Sequence, residues 1–480
     1  MNCLLCLDNG HFITGRIMDE FLREINTQIF RQWIMNQSRD GFVVKQTSDP
    51  DIISINTPSS YTEISFNDME IIEFVVKNKN NQRVEFYIHF QMNTLSHAVG
   101  LYVEMLECIQ SIVETNITKV VLCCSGGLTT GMFADDLNKG AEILGLDYVF
   151  SAVPYTKLYE VGGNYDVILL APQISFEHAK VIQTLVDPLV IKIPPRIFAK
   201  YKVNELLTLM KEKIVDFKNK KIEIVHEENQ DIPVLKEKVL CISIKRVQAP
   251  RININYSLFY NGEVITENEI IKTSISEKDI YDIVEVMFAK YPDIKLVGIS
   301  MLGIVNEYGV YLPSHPLNDF DFMTPLREKY DATFILENDV NCAALGYYVS
   351  QNKYQSISMV TKTRQDKPGG VGSIIEGKLI RGKNNLAGEV QFLPIDIATY
   401  SSDFSGYVEQ LAHSILGVIA LLSPEAIIVY APVVSETEDI IYYINQKLPR
   451  RFIPEIILVE DIKPYATIGL LKLCIDSKNK

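Results

Sequence analysis

The most constraining stretch of the chain begins at Lys119. The run Lys119-Val-Val-Leu-Cys-Cys124 is short, apolar and without polar alternation, and a Gly/Thr turn and a helical pattern follow it. Tyr148–Ala152, Asp166–Ala171 and Leu189–Ile193 read as three more such strands, with helices between or after them. Short strands that are apolar on both faces and alternate with helices predict a parallel sheet, here a four-stranded α/β domain over 117–217.

The turn after the first strand reads Cys124-Ser-Gly-Gly-Leu-Thr-Thr-Gly131. Gly126 and Gly127 let the backbone curl so that successive N–H groups converge, and the helix entered through Leu128 and Gly131 adds its positive end. Ser125, Thr129 and Thr130 supply hydroxyl donors. A thiol at the mouth of such a phosphate cradle is expected to ionise readily and to carry a phosphoryl group stabilised by the same donors. Cys124 is the expected nucleophile, because strand alternation buries Cys123. The six residues after Cys124 contain no arginine to clamp a hydrolytic transition state, which argues against a cysteine phosphatase and for hand-off of the phosphoryl group.

On these residues, together with Ala171-Pro172-Gln173, the segment resembles enzyme IIB of the lactose/cellobiose class of the bacterial sugar phosphotransferase system. The resemblance implies that Cys124 accepts phosphoryl from a phosphohistidine on an enzyme IIA and passes it to an incoming sugar.

At 480 residues the chain is too long for one core. The first 116 residues read as an α+β module, with helical periodicity over Ile17–Met35 and Ser96–Glu114 and a hairpin of Met69–Val76 with Arg83–Gln91. The polar stretch 218–236 reads as a linker, and 237–480 as a further α/β region that opens with strands at Val239–Ile244, Asn253–Tyr260 and Glu263–Lys272. Met1–Leu7 is apolar but short and lacks a basic flank, so no signal peptide is expected. Leu416–Val434 is the most membrane-like stretch, but Ser423-Pro424-Glu425 breaks it into a helix and a buried strand. The eight cysteines show no extracellular spacing and fit a reducing cytoplasm. Cys3 and Cys6 form a nominal metal motif with no second ligand pair and read as two thiols in a hairpin strand.

From Val239 onward the chain carries Gly298-Ile-Ser-Met-Leu-Gly-Ile-Val305, Glu337-Asn-Asp-Val-Asn-Cys-Ala-Ala-Leu-Gly346, Gly369-Gly-Val-Gly-Ser373 and Ala387-Gly-Glu389. In this order they resemble the ROK family of sugar kinases and sugar-responsive repressors. The resemblance implies an actin-like fold of two α/β lobes. It implies that Asn338, Asp339, Glu389 and Glu409 bind a sugar, with Asp339 placed as a general base. A homo-oligomer is also expected from it.

The departures from the family pattern carry as much information. Where active members have an Asp-x-Gly-Gly-Thr-like phosphate and Mg²⁺ turn, this chain has Ile242-Ser-Ile-Lys-Arg-Val247. The glycine turn on the adenosine side is replaced by Tyr430-Ala-Pro-Val433. The zinc histidine is replaced by Gln391, and Pro394–Tyr407 has no cysteine. Neither zinc nor Mg-ATP is therefore expected as a cofactor, and a sugar or sugar phosphate is the expected ligand.

The leading expectation is a regulator of carbohydrate uptake in which Cys124 is phosphorylated and the ROK-like half binds sugar without turnover. An enzyme IIB component working with a separate membrane enzyme IIC is the alternative. A ROK-type repressor is a third reading, disfavoured because the net charge of −14 and the lack of a helix-turn-helix pattern in the first 116 residues argue against DNA.

Overall fold

In the computed structural model, the described residues are 10–79, 82–114, 118–126, 128–144, 146–185, 188–219, 236–248, 251–313, 315–364, 369–393, 399–401 and 403–478. Cys3, Cys6 and all but the ends of the 218–236 linker lie outside them. The chain divides into two units, Met1–Asn116 with Glu269–Pro292, and Ile117–Asn268 with Asp293–Lys480.

In the first unit, α1 (Gly10–Met35) precedes an antiparallel meander of β1 (Val43–Gln46), β2 (Ile52–Asn56), β3 (Ser60–Asn67), β4 (Ile71–Asn78) and β5 (Val84–Gln91), and α2 (Leu95–Glu114) follows. Period-two patterning decides the faces: Ser60, Thr62, Ile64 and Phe66 are buried along β3 and the residues between them are not. Phe30, Trp33, Phe74 and Tyr102 form an aromatic cluster between helices and sheet, with Trp33 and Tyr102 edge to face at 5.0 Å. The end of β12 (Glu263–Lys272) pairs Ile271 with Tyr87, and α8 (Glu277–Lys290) completes the unit.

The second unit contains the expected four-stranded parallel sheet. Its strands are β6 (Thr118–Cys124), β7 (Tyr148–Pro154), β8 (Val167–Leu170) and β9 (Leu189–Lys192), ordered β7-β6-β8-β9. Along β6, Val120, Leu122 and Cys124 face a core built with α3 (Leu128–Ile143) and α7 (Val203–Asn219). Val121 and Cys123 face the opposite way. The helices on that side, α4 (Tyr155–Val161) and α5 (His178–Thr184), have only two turns each. The short α6 (Pro195–Phe198) leads into α7.

The remainder builds two sheets of the same topology. One is ordered β12-β11-β10-β13-β16, from β10 (Lys238–Gln248), β11 (Arg251–Tyr260), β12, β13 (Ile294–Met301) and β16 (Thr333–Asn338). The other is ordered β19-β18-β17-β20-β21, from β17 (Ile357–Thr361), β18 (Gly370–Ile375), β19 (Lys378–Leu379), β20 (Ala426–Tyr430) and β21 (Glu455–Leu458). In both, the first strand is central, pairs antiparallel with the second and parallel with the fourth. This repetition is the two-lobed, actin-like α/β architecture. A small hairpin of β14 (Ile304–Val305) and β15 (Val310–Tyr311) and the helix α9 (Met323–Lys329) precede β16.

Two helices pack in the centre of this region, α10 (Asp339–Gln351) and α13 (Lys463–Ser477). They approach through glycine: a Cβ on Gly346 would lie 1.8 Å from the Tyr465 carbonyl oxygen, and one on Gly469 1.8 Å from that of Cys342. The membrane-like stretch resolves into α11 (Phe404–Leu422) and β20, with Ser423 as a left-handed cap. α11 is long and apolar enough to cross a membrane, yet Tyr407, Leu411 and Ile415 are buried in the protein core. The helix α12 (Thr437–Asn445) packs on α11.

Candidate functional site

The cysteine loop leaves the sheet at the carboxyl end of β6, a central strand, where ligands of open parallel sheets characteristically bind. Cys124 is the last strand residue and lies opposite Pro154. The Ala171 N–H donates to the Cys123 carbonyl at 2.9 Å, so the Ala171-Pro172-Gln173 turn sits beside the cysteine loop. Ser125, Gly126 and Thr129 are exposed. A Cβ on Gly126 or Gly131 would meet open space, so the small residues there leave room rather than relieve a clash. α3 begins at Leu128; Gly127 lies outside the described residues, as does the Leu128 side chain.

Contrary to the expectation from the sequence, the thiol is not displayed at the mouth of the loop. Cys124 is only 4% exposed, and its Sγ lies 3.2 Å from Oγ1 of the fully buried Thr130. The cause is register, since Cys124 still belongs to β6 and faces the α3 core. Cys123 is wholly buried on the opposite face, where burial, with Cys124 adding, pushes its thiol well up and keeps it inert.

In the two-lobed region, Asn338 and Asp339 sit where β16 passes into α10. Asn338 caps the helix, its Oδ1 accepting from the N–H groups of Val340 (2.9 Å) and Asn341 (3.1 Å), while its Nδ2 donates to the Gly303 carbonyl at 3.0 Å. Asp339 is 9% exposed. Glu389 is its electrostatic neighbour: burial first, and then the Asp339 charge, hold the Glu389 carboxyl above its usual range, against the lowering effect of Gln391. Gln391 Nε2 donates to Glu389 Oε2 at 2.8 Å. The fold thus makes the Asp339 and Glu389 carboxylates electrostatic neighbours. Glu409 is half-buried on α11, and the neighbour on which its charge acts is Tyr400, whose hydroxyl is hydrogen-bonded to His413 at 2.7 Å.

Sequence reasoning missed the side chains that hold this pair. Glu337 is 2% exposed and takes two bonds from Arg381, from Nε and from Nη2, each at 2.7 Å. The other Glu337 oxygen accepts from the Asn338 N–H and from Asn341 Nδ2, both at 3.0 Å. The Arg381 carbonyl in turn accepts the Ala387 N–H at 3.1 Å. One ion pair therefore ties the Asn338-Asp339 segment to the Ala387-Gly388-Glu389 segment. The Glu adjoining Asn338 and the Arg after β19 were visible, but nothing in their spacing announces that they meet.

The Gly369–Ser373 stretch is explained by packing. Gly370 opens β18, which pairs with β17, and Cβ atoms at Gly369 and Gly372 would lie 1.8 Å from the Thr361 carbonyl oxygen and 2.6 Å from that of Val340. β10 runs as a strand through Gln248. Beyond β20, the Pro432 carbonyl accepts from the Tyr155 hydroxyl (3.4 Å) and the Val434 carbonyl from Lys180 Nζ (2.8 Å).

Comparisons with known proteins agree with both halves of this description. The family model for the lactose/cellobiose-specific IIB subunit of the phosphotransferase system matches residues 119–208, and the ROK family model matches residues 252–402. The chain therefore joins a IIB domain of the lactose/cellobiose class to a ROK-family domain.

Among curated relatives, the lactose-specific EIICB component of the phosphotransferase system from Streptococcus mutans is 38% identical over 61 residues, 13% of this chain. The chain spans only 11% of that protein's length. A ROK family protein from Streptococcus pneumoniae, solved in complex with sucrose, is 16% identical, with 50% of this chain and 99% of that one covered at a TM-score of 0.39. The lactose-specific IIB component domain from Streptococcus pneumoniae is 22% identical, covering 20% of this chain and 97% of that one at a TM-score of 0.19.

Proposed function

We propose that this protein is a sugar-responsive regulator linked to the phosphotransferase system, in which Cys124 carries a phosphoryl group and the ROK domain binds a sugar or sugar phosphate without phosphorylating it. The observation that carries this reading is a cysteine loop with its Ser125, Gly126 and Thr129 face open, in the same chain as Asp339 and Glu389, whose carboxylates are electrostatic neighbours. In the transfer, the Cys124 sulfur forms a bond to the phosphorus of a phosphohistidine on an enzyme IIA. The P–N bond breaks, and the imidazole nitrogen keeps the electron pair and takes up a proton as the thiol loses its own. The N–H groups of the loop and the N-terminus of α3 then hold the dianionic phosphoryl group.

In the ROK domain, Asp339 and Glu389 accept hydrogen bonds from sugar hydroxyls, and Asn338 keeps Asp339 at the helix start. Gln391 stands where the family pattern has a zinc ligand, and its Nε2 donates to Glu389. The protein acts in the cytoplasm, where enzyme IIA and sugar phosphates are found.

The test is incubation with enzyme I, the carrier protein HPr, an enzyme IIA of the lactose/cellobiose class and phosphoenolpyruvate. The expected product is an acid- or iodine-sensitive phosphocysteine, absent from Cys124→Ser. Failure of every such IIA to label the chain removes the phosphoryl half of the proposal. The match to a IIB segment of an EIICB component favours one second reading, transfer onward to sugar through a separate IIC; label leaving Cys124 for sugar in IIC membranes would establish it.

A further inference from the structure

The IIB domain is not a bead on a linker. The face of its sheet that carries Val121, Cys123 and Leu170, with Leu158 of α4 packed on it, is continuous with the core of the second ROK lobe. These side chains share one apolar cluster with Tyr407, Leu411 and Ile415 of α11 and with Val433 and Val434 beyond β20. The two-turn helices α4 and α5 cannot cover the sheet alone, and the ROK lobe supplies the missing layer.

Polar groups fix the register of this contact. Tyr155 donates to Glu177 Oε2 at 3.0 Å, lies 2.9 Å from the Tyr159 hydroxyl and reaches the Pro432 carbonyl. Lys180 reaches the Val434 carbonyl, and Arg364 pairs with Glu160 at 3.4 Å. Buried carbonyls need such partners, so the segment after β20 is satisfied by IIB side chains at the place where the kinases of this family approach a nucleotide.

The contact also reaches the cysteine loop. Tyr159 and Cys123 belong to this same apolar cluster, and the Tyr159 hydroxyl lies 2.9 Å from that of Tyr155. Burial first, then Tyr430 and Tyr159, raise the Tyr407 hydroxyl, which donates to the Lys362 carbonyl. Lys362 follows Thr361, whose carbonyl abuts Gly369, and Gly370 and Gly372 pack on Val340, next to Asp339. Cys124 is buried against Thr130, so its sulfur must become exposed to accept a phosphoryl group, and Cys123 is its neighbour in β6.

We propose that the IIB domain is a docked cap on the second ROK lobe, and that opening of the Cys124 loop is transmitted through Cys123 and Tyr159 to the segment after β20. This rests on the reading of Cys124 as the phosphoryl carrier, but its test needs neither a phosphodonor nor a sugar. Hydrogen–deuterium exchange is followed on the full chain, as wild type, Cys124→Asp and Lys180→Met. In the wild type, Val433 and Val434 are expected to exchange slowly. Cys124→Asp is expected to speed exchange by at least about fivefold both at 125–131 and at 431–434. Should that variant not fold, Lys180→Met serves: it removes the bond to Val434, and reciprocity then requires faster exchange at 125–131 as well as at 431–434. Fast exchange of 431–434 in the wild type overturns the docking. A change confined to the mutated side in either variant overturns the transmission, while leaving phosphorylation of Cys124 to its own assay.

Discussion

At the scale of single residues, the two ends of the account rest on different chemistry. In the proposed function Cys124 acts through its sulfur, so Cys124→Ser should fold normally yet form no acid-labile phosphocysteine, as read by intact mass after phosphorylation. Arg381 is a positioning residue. Its guanidinium is partly exposed but the Glu337 carboxylate that it holds is buried, so Arg381→Met strands a charge and should cost about 3 kcal/mol at most in urea unfolding. Arg381→Lys cannot restore the two-bond geometry and should recover sugar affinity only in part, as measured by calorimetry. The residues proposed to carry the chemistry could be singled out in the sequence because a Cys-Ser-Gly-Gly turn and an Asn-Asp pair are local patterns. Arg381 and Glu337 were not, because 44 residues separate them and only the fold brings them together.

At the scale of elements, helix packing and a buried ion pair each make a prediction. Gly346 and Gly469 let α10 and α13 touch backbone to backbone, and a methyl at either position meets a carbonyl at 1.8 Å. Gly346→Ala should therefore destabilise the ROK domain by about 3 kcal/mol, measured by denaturant unfolding. In the first unit, His97 Nε2 lies 2.9 Å from Asp282. Burial raises Asp282 from 3.8 to about 6, outweighing the opposite effect of His97. The folded chain thus keeps a proton that the unfolded chain gives up, and this share of stability falls as pH rises from 3.8 to about 6. His97 is raised above 6.5, chiefly by its bond to Asp282, so its share is intact below 6.5 and lost as pH rises through the folded value. Both slopes have the same sign, but burial lowers His89 of the same unit from 6.5 to about 3, so its share rises with pH up to 6.5 and opposes that of Asp282. The single tryptophan, Trp33, is packed in this unit against Phe30 and Tyr102 and reports its unfolding. Above 6.5 only the His97 share still changes, so the urea midpoint followed by its fluorescence should fall as pH rises beyond 6.5, and Asp282→Asn should flatten that slope.

At the scale of the whole molecule, the order of strands was largely legible. Apolar runs identified the parallel sheet, and turn residues such as Asn261-Gly262, both at positive φ, marked the hairpin of β11 and β12. What could not be read was that Glu269–Pro292 groups with the first 116 residues, or that the IIB sheet and the second ROK lobe share a core. Apolar periodicity says that a face is buried and not which neighbour buries it. The buried position of Cys124 was missed for a related reason, since one residue of register separates a thiol in the strand from one in the loop. The central claim is that phosphorylation of Cys124 and sugar binding are coupled in one chain. Calorimetry of the full-length protein, phosphorylated and not, against a panel of sugars and sugar phosphates tests it most directly. At least one ligand should bind with affinities that differ by about fivefold or more between the two forms and without ATP consumption. Equal affinities in both forms for every ligand that binds would contradict it.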